Sequence, residues 1–422
     1  MLSGQRNATK RNSMNKTWKQ IRGKQKRAVV LEFLKRFQGH LEFGGEKIAL
    51  SREAEILKIR PFPHPVAWCR DDELVDLRVP FGKSTHEFTL RIKWWNLNDP
   101  LSRLKPQRIL DRALTENRIM RRVRTRLARH STLSDVTGLG SIIPMPQLAV
   151  IHTQDGRQHL LPPMRKWMHI GSVDSGGSQD APVMIQLTTG RSVPLPPVRL
   201  WNFIHSINSY TTGVESYAEH LDHQAKRTTF EDGDDLELRT IVKLLILIHE
   251  QYKTESADER RSIHRLSEVF ILQRVTEMLH RHPVISLELR TQFYRDVETG
   301  LCQDDPVKLS LNESWGDFHP ANILRNAEGR MEPTDPQTAP EWPGYAHPGV
   351  DVGMMFSFLL KRSWMANNPA FRKRAFRFLE LYEQESGIKN IRELAARRGL
   401  PIACFVFFRA GNIVEAAPEQ IR

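Results

Sequence analysis

Alternating apolar and polar positions dominate the chain between residues 47 and 95. The segments EILKIRPF, ELVDLRVPF and HEFTLRIKWW mix β-branched or aromatic residues with polar ones, and FGKST supplies a turn between the last two. Residues 106–129 then show helical periodicity, with apolar side chains at helical spacing: Leu110, Ala113, Met120, Val123 and Leu127. This part of the chain is therefore predicted to form a sheet accompanied by a helix.

The period of the hydrophobic positions becomes helical from about residue 236. It is clear in LRTIVKLLILIHEQY, RSIHRLSEVFILQRVTEMLHR and ISLELRTQFYRDVE, and again in VDVGMMFSFLLKRSW and AFRKRAFRFLELYEQE. The run EDGDD, residues 231–235, is interpreted as an acidic loop that marks the boundary. Strands first and helices afterwards predict a two-lobed α+β architecture.

A twelve-residue pattern, G-R-x-x-x-L-P-P-x-R-x-W, occurs twice, within residues 155–167 and 189–201. Two copies are too few for a solenoid, so a duplicated hairpin is favoured over a paired binding surface. Four divisions of the chain are predicted: 1–46, a basic and partly disordered extension; 47–165, a small β-rich lobe; 166–235, an insert with the duplicated hairpin; and 236–422, a helical lobe.

Charge is concentrated at the start of the 422-residue chain, whose formal net charge is +13. Residues 1–37 contain eleven Lys or Arg and one acidic residue, Glu32. A solvated arm is the favoured interpretation, and a nucleic-acid contact or an organelle transit peptide are the alternatives. The predicted location is accordingly cytoplasmic, or mitochondrial if this segment is a transit peptide.

Cysteine usage and hydropathy restrict the class of protein further. The three cysteines are far apart and fit neither a disulfide framework nor a metal-ligand spacing, which suits a reducing compartment. No apolar run approaches the roughly 18 residues that a membrane span requires. A protein without a membrane span is therefore predicted.

Candidate chemistry lies in SWGDFHPANILRN, residues 314–326, which places Asp317 five residues before Asn322. The strand-like segments KLSLN and GRMEPTD would bring these residues and Asp335 together at one end of a hairpin. Such a set suits phosphoryl transfer, in which one carboxylate accepts the proton of the substrate hydroxyl while an amide oxygen and a second carboxylate hold Mg²⁺. Hard oxygen ligands are those that Mg²⁺ prefers.

The segment G-D-F-H-P-A-N-I-L resembles the Brenner motif of the aminoglycoside phosphotransferase and choline kinase family, H-G-D-x-H-x-x-N-I-L. LLILIHEQY and GVDVGMMFSFLL, which contains Asp351, resemble the segments before and after this motif. The resemblance spans about residues 75–365 and implies a bilobal protein-kinase-like fold, with ATP bound by the small lobe. It assigns Asp317 as the catalytic base and Asn322 and Asp335 as the metal ligands.

The small lobe fits the same family through FTLRIKWW, which resembles the strand whose cation contacts the nucleotide phosphates. Arg91 aligns best with that cation, and Lys93 points to the same face because strand periodicity is two. Glu116, on the apolar face of the predicted helix, is expected to pair with Arg91 or Lys93, since a buried carboxylate needs a partner. The alternative is a surface Glu that balances the neighbouring arginines.

The resemblance also predicts where the hinge between the lobes lies, and the sequence departs from the family pattern at two points. IIPMPQL followed by HLLPPM resembles the strand pair leading to the hinge, which implies that Leu161 and Met164 lie near the adenine. Trp315 stands where the family usually has His, and no glycine-rich loop precedes FTLRIKWW. His319 has no second His or Cys at a ligand spacing nearby, so it is interpreted as a loop residue.

The sequence therefore predicts an ATP- and Mg²⁺-dependent phosphotransferase that phosphorylates a hydroxyl group of a small molecule. The alternative is a catalytically silent kinase-like scaffold that binds nucleic acid or a protein through the basic arm and the duplicated insert. The intact set of Asp317, Asn322 and Asp335 favours the enzyme, so nucleic acid is the less favoured partner.

Overall fold

The structure is a computed structural model that describes residues 40–409 except for several breaks. The breaks are 44–45, 50–53, 62–69, 82–83, 98–108, most positions of 110–125, 127–146, 154–157, 161–163, 168–182, 188–191, 196–200, 211–214, 250–255, 282–284, 306–307, 326–330, 338 and 340–341. The chain divides into two compact units: Met1–Asn117 with Ser141–Thr212, and Arg118–Gly140 with Gly213–Arg422. Most of the predicted basic extension lies outside the described residues.

The first unit is built from antiparallel strands. They are β1 (His40–Phe43), β2 (Glu46–Ala49), β3 (Glu55–Pro61), β4 (Arg70–Phe81), β5 (Ser84–Asn96), β6 (Gln147–Thr153), β7 (Gln158–Leu160), β8 (Met164–Trp167), β9 (Val183–Leu187), β10 (Ser192–Leu195) and β11 (Trp201–Tyr210). Strands β1 and β2 pair with each other, six strands form a sheet in the order β3-β4-β5-β11-β6-β7, and a smaller sheet has the order β10-β9-β8. The three strands predicted from alternation, β3, β4 and β5, are confirmed.

Strand β5 explains why the sheet forms and what it positions. Leu90, Ile92 and Trp94 alternate along it and are almost fully buried, as are the residues of the opposite parity, Arg91 and Lys93. A strand buried on both faces can hold charged residues only if partners compensate them. The cations of β5 are therefore fixed by ion pairs rather than by solvent.

The repeated G-R-x-x-x-L-P-P-x-R-x-W motif does not form two hairpins, and the predicted insert has different limits. In the first copy β7 belongs to the six-stranded sheet and β8 to the three-stranded sheet; in the second copy β10 belongs to the three-stranded sheet and β11 to the six-stranded one. The two copies thus mark the exit of the chain to the smaller sheet and its return. Strand β11, predicted to belong to the insert, lies inside the main sheet between β5 and β6.

The second unit is mostly helical. Its helices are α1 (Tyr217–His223), α2 (Asp232–Ile248), α3 (Ala257–Arg281), α4 (Leu287–Cys302), α5 (Gly349–Ala366), α6 (Pro369–Ser386) and α7 (Ile391–Arg409), with short strands β12 (Glu215–Ser216), β13 (Asn312–Glu313), β14 (Ile323–Arg325), β15 (Met331–Pro333) and β16 (Tyr345–Ala346). No helix among the described residues is both long and apolar enough to cross a membrane.

The acidic run at 231–235 begins helix α2 instead of forming the predicted loop. Asp232, Asp234 and Asp235 lie in the first helical turn, and the side chain of Asp234 accepts a hydrogen bond from the backbone N–H of Glu231 at 2.9 Å. Carboxylates are favourable there because the unpaired N–H groups give a helix N-terminus a partial positive charge. The core of the unit lies between this helix, α5 and α6.

Helices α5 and α7 cross at glycines that leave no room for a side chain. A Cβ atom added at Gly353 would lie 2.6 Å from the Cα of Gly399, and one added at Gly349 would lie 2.8 Å from the backbone carbonyl carbon of Leu394. Both helices would have to move apart to accept a methyl group. This crossing matters for the site because α5 begins with residues that hold the loop described below.

We expect Gly353→Ala to lower the free energy of unfolding by about 1–3 kcal/mol or more, because it overpacks a backbone-to-backbone contact. The matched control is Gly300→Ala, whose methyl group would meet the Arg397 side chain at an ordinary 3.5 Å. The control should be neutral or stabilising by about 0.5–1 kcal/mol. Chemical denaturation followed by circular dichroism measures both, and equal stability of the two variants would contradict the prediction.

Candidate active site

Asp317, Asn322 and Asp335 meet as predicted, through hydrogen bonds of the Asn322 amide. Its Nδ2 donates to the backbone carbonyl of Asp317 at 3.0 Å, to Asp317 Oδ2 at 3.2 Å and to the backbone carbonyl of Asp335 at 3.4 Å. The Asp317 side chain keeps 29% of its surface exposed, so a substrate can reach it. One amide group therefore joins the loop after β13 to the end of β15.

The hairpin that carries these residues differs from the one predicted. KLSLN contributes only the short strand β13, which pairs with β16, whereas β14 pairs with β15. A single 3₁₀ turn, Pro320–Asn322, leads directly into β14, so Asn322 and Asp335 flank the same hairpin. The backbone N–H of Thr334 donates to the carbonyl of Asn322 at 2.7 Å and closes its open end.

Asp351, at the start of α5, holds the backbone ahead of Asp317. Its buried carboxylate accepts hydrogen bonds from the N–H of Trp315 at 2.8 Å and the N–H of Gly316 at 2.7 Å. The hydroxyl of Ser314 donates a third bond, also at 2.7 Å. A fully buried charge is tolerated in a protein only when it is compensated in this way. The two residues before Asp317 consequently have one fixed conformation.

Gly316 is required at its position for two reasons. Its φ is +73°, in the left-handed region that residues with a Cβ avoid. A Cβ there would also lie 2.7 Å from the ring of Trp342 and from the Cβ of Gln337. The glycine of the G-D pair therefore permits a turn that directs the next residue, Asp317, away from the anchored backbone.

His249 is the fourth group on the Asp351 carboxylate, at 3.0 Å from Nε2 to Oδ2. Its Nδ1 lies 2.6 Å from the hydroxyl of Tyr382, and its backbone carbonyl accepts a bond from Asn312 Nδ2 at 2.8 Å. Burial raises the pKa of Tyr382, so this phenol stays a neutral hydrogen-bonding group. The last turn of α2, the loop and α5 are thus joined by one buried polar network.

Trp315 and His319 support the loop from its two sides. Trp315, the departure from the family motif, is completely buried, and its Nε1 donates to the carbonyl of Thr334 at 3.2 Å. The ring of His319 stacks on Phe358 with centroids 4.3 Å apart, and its Nε2 lies 3.4 Å from Asp317 Oδ1. The predicted loop residue therefore also faces the candidate base.

In the first unit, the two candidate cations, Arg91 and Lys93, have different acidic partners. Lys93 Nζ forms a buried ion pair with the carboxylate of Glu116, which lies in the helical segment around residues 109–126. Arg91 instead bonds to Asp72 on the neighbouring strand β4, with 2.7 Å between Nε and Oδ2. Glu116 has the cation partner that was expected of it, but that partner is Lys93 and not Arg91, the better-aligned residue.

The structure gives no side-chain contacts for the two residues predicted near the adenine. Leu161 lies outside the described residues. Met164 begins strand β8, which pairs with β9 in the three-stranded sheet, and no side-chain environment is described for it. Their role in binding a nucleotide stays a prediction.

The donor atoms near Asp335 fit a magnesium ion better than a transition metal. The Nδ2 of Asn322 is committed to Asp317 and Asp335, so its Oδ1 is the atom left for a cation. Asp335 has φ = +50°, a conformation in which Asp is one of the few residues commonly found. The described residues contain no cluster of three or more His, Cys, Asp or Glu side chains that could hold a metal. Magnesium, which uses one or two protein carboxylates, does not need one.

Three residues that organise the site were not assigned a role from the sequence: Asp351, His249 and Asp72. The first two lie in segments already noted for their resemblance to the family, LLILIHEQY and GVDVGMMFSFLL, and a charged residue within an apolar run is itself a signal. Asp72 gave no such signal, because its pairing with Arg91 depends on the register of β4 against β5.

Comparison with known proteins gave structural neighbours only. No protein-family model matches the chain, and no curated protein matches it by sequence. Similar solved structures include a glucosamine kinase (13% identity, 82% of this chain and 91% of that chain covered, TM-score 0.38) and the GDP complex of an aminoglycoside 2'-phosphotransferase-IIIa (12%, 87% and 89%, TM-score 0.37). A choline kinase from Streptococcus pneumoniae is also similar (9%, 83% and 94%, TM-score 0.28).

These proteins are of the kind that the sequence motifs resemble, but likeness at this level decides nothing about this chain. The fold class follows from the elements of the chain itself. One unit has an antiparallel sheet whose lysine pairs with a helical glutamate, and the other is helical with the D-x-x-x-x-N loop and its hairpin. The chain has the α+β, protein-kinase-like fold that was predicted.

We expect Asp351→Asn to cost about 3 kcal/mol or more of stability, because it removes the charge that compensates several buried donors. Ser314→Ala is the matched control, since it deletes one donor and leaves the carboxylate three others, at a cost of about 1 kcal/mol. Urea denaturation would measure both values. A loss below 1 kcal/mol for Asp351→Asn would show that the loop does not depend on this carboxylate.

Proposed function

We propose that the protein is an ATP- and Mg²⁺-dependent phosphotransferase that phosphorylates a hydroxyl group of a small molecule. The observation that carries the proposal is the meeting of Asp317, Asn322 and Asp335 on a loop held rigid by the buried Asp351. Phosphoryl transfer relies mainly on positioning and charge stabilisation, so a rigid loop with these groups is what the reaction requires.

Asp317 would act as the base. Its Oδ2 accepts a hydrogen bond from Asn322, and its Oδ1 lies 3.4 Å from His319 Nε2, so both oxygens are oriented. The exposed part of the carboxylate would accept the proton of the acceptor hydroxyl while the oxygen attacks the terminal phosphate. A base within hydrogen-bonding reach of the proton that it removes is the geometric requirement for this role.

Asn322 Oδ1 and the carboxylate of Asp335 would hold the magnesium ion. When bound, such an ion neutralises charge on the phosphate oxygens. The Asn322 amide also fixes the distance between the base and the metal ligands, because Nδ2 bonds to both Asp317 and Asp335. A substitution at Asn322 would therefore disturb both functions at once.

Lys93 would contact the nucleotide phosphates, and Glu116 would orient it. Arg91 has a structural role instead, since its guanidinium is bound to the buried Asp72. The acceptor is not defined by any described residue. The neighbours suggest hydroxyl-bearing amines as the first compounds to test, and the GDP complex of one neighbour makes GTP a useful second donor.

Asp317→Asn should lower phosphotransfer by roughly two to four orders of magnitude and leave nucleotide affinity nearly unchanged, because it removes only the base. Asp335→Asn should instead weaken the Mg²⁺ dependence of nucleotide binding. Calorimetric titration with ATP or GTP, with and without Mg²⁺, measures binding. Transfer of labelled phosphate to kanamycin, glucosamine, choline and ethanolamine measures turnover.

The surface residue Asp305 provides the matched control, since Asp305→Asn should change neither quantity. If the wild-type protein binds no nucleotide under any of these conditions, the phosphotransferase proposal fails and the silent-scaffold alternative takes its place. Tight nucleotide binding that Asp317→Asn and Asp335→Asn leave untouched would place the nucleotide elsewhere and also contradict the assignment.

Lys93→Met and Arg91→Met separate the two buried cations. Each breaks a buried ion pair and should cost about 3–5 kcal/mol of stability. Both variants will contain some unfolded protein that cannot bind. Only Lys93→Met should also reduce the nucleotide affinity of the protein that remains folded. The double variant Lys93→Met/Glu116→Gln, which removes both charges, should recover stability but not affinity. Equal loss of affinity in the two single variants, measured on folded protein, would show that the strand has been assigned wrongly.

A further inference from the structure

The end of helix α5 exposes two large apolar residues side by side. Trp364 and Met365 keep 69% and 70% of their surface in contact with solvent. The helix stops at Ala366, and Asn367 adopts a left-handed conformation with φ = +45° before α6 begins. Both residues therefore lie at the turn between α5 and α6 and are largely exposed there.

The apolar surface continues from this turn along one side of the hairpin. Phe356 and Phe376 contact each other across α5 and α6, with ring centroids 5.5 Å apart. Phe356, Leu360 and Trp364 are spaced four residues apart and so follow one face of α5. Phe376 keeps 38% of its surface exposed. Phe356 and Leu360 are partly buried against the core of the unit, so Trp364 is the most exposed residue of this row.

The same hairpin is strongly basic. Residues 352–379 contain six Lys or Arg and no acidic residue. Three of these cations are bound to acids from other elements: Arg362 to Asp222, Arg374 to Asp234, and Arg377 to Asp235.

Arg372 and Lys373, one turn into α6, form no ion pair with any residue that the structure describes. Arg372 lies over the ring of Phe376 at 6.0 Å and Lys373 over the ring of Phe230 at 5.2 Å. Both side chains are exposed. Two exposed cations that follow the apolar turn closely in the chain therefore have no acidic partner among the described residues.

We propose that the hairpin tip, defined by Trp364, Met365, Arg372 and Lys373, docks on the surface of an anionic lipid membrane. An exposed turn with a tryptophan and a methionine can insert among lipid headgroups without a complementary groove, and tryptophan is favoured at that depth. Unpaired cations at its side attract acidic lipids. Stable membrane association usually takes two signals, and the hairpin tip combines an apolar one with an electrostatic one.

Other partners fit these features less well. A platform for single-stranded nucleic acid needs successive aromatic rings along a groove, whereas here one tryptophan stands on a turn. A stable protein interface takes roughly 20–30 residues from each partner, far more than the four that define this tip.

The test is sedimentation of the full-length protein with vesicles of phosphatidylcholine alone and of phosphatidylcholine mixed with phosphatidylserine. The protein should bind the mixed vesicles only. Arg372→Gln/Lys373→Gln should weaken binding about thirtyfold, from roughly fivefold for each cation near an anionic surface. Trp364→Ser/Met365→Ser should weaken vesicle binding as well. In a second measurement, brominated lipid should quench part of the tryptophan emission of the wild-type protein, and Trp364→Phe should abolish that quenching.

Leu287→Ser/Leu289→Ser is the matched control, because it removes two other highly exposed apolar side chains, 73% and 58% exposed, from helix α4. It should bind vesicles like the wild type, and circular dichroism would verify that all variants are folded. Absence of binding to the mixed vesicles overturns the proposal, as does binding that the hairpin variants leave unchanged. Loss of binding to a single-stranded oligonucleotide in these variants, without loss of vesicle binding, would replace it by nucleic-acid recognition.

Discussion

The buried carboxylate of Asp351 is the interaction on which the helical unit depends. An isolated carboxylate in a protein interior is strongly unfavourable, and this one is tolerated because four groups surround it: two backbone N–H groups, the hydroxyl of Ser314 and the ring of His249. The requirement works in both directions. The charge needs those donors, and the buried donors need the charge as their acceptor, so the loop before Asp317 is held in one conformation. The loop segment is thereby held rigid next to Asp317, the proposed base.

The same principle organises the sheet of the first unit, with the opposite sign of charge. Lys93 and Arg91 are buried two residues apart on β5, and each is compensated by its own acid, Glu116 or Asp72. Glu116 reaches Lys93 from a helix, whereas Asp72 reaches Arg91 from the adjacent strand. A pair made between two strands can only support the sheet, while a pair that depends on a helix can respond to the position of that helix. This distinction is why Lys93, and not Arg91, is proposed as the nucleotide contact.

Features set by local patterns can be predicted from the sequence. Features that depend on how distant strands pair with each other cannot. Strands β3 to β5 follow from alternation, and the meeting of Asp317, Asn322 and Asp335 follows from their spacing. The hairpin that joins them was assigned wrongly because β14 has only three residues, too few to show a period. Arg91 and Lys93 share one face of β5, so strand periodicity could not show that Arg91 bonds diagonally to Asp72, the residue that lies opposite Lys93 on β4. The repeated L-P-P motif gave no indication that its strands belong to two sheets.

The number of charged residues in the sequence overstates the number that can bind a partner. Of the six cations between residues 352 and 379, Arg362, Arg374 and Arg377 hold the hairpin to acids of α1 and α2 and are therefore structural. Among the described residues, Arg372 and Lys373 contact aromatic rings and no acid. Such contacts are worth about 0.5–1 kcal/mol at exposed sites, so a polyanionic surface can outcompete them. The ion pairs in this hairpin thus distinguish the cations that stabilise the fold from those that can bind a partner.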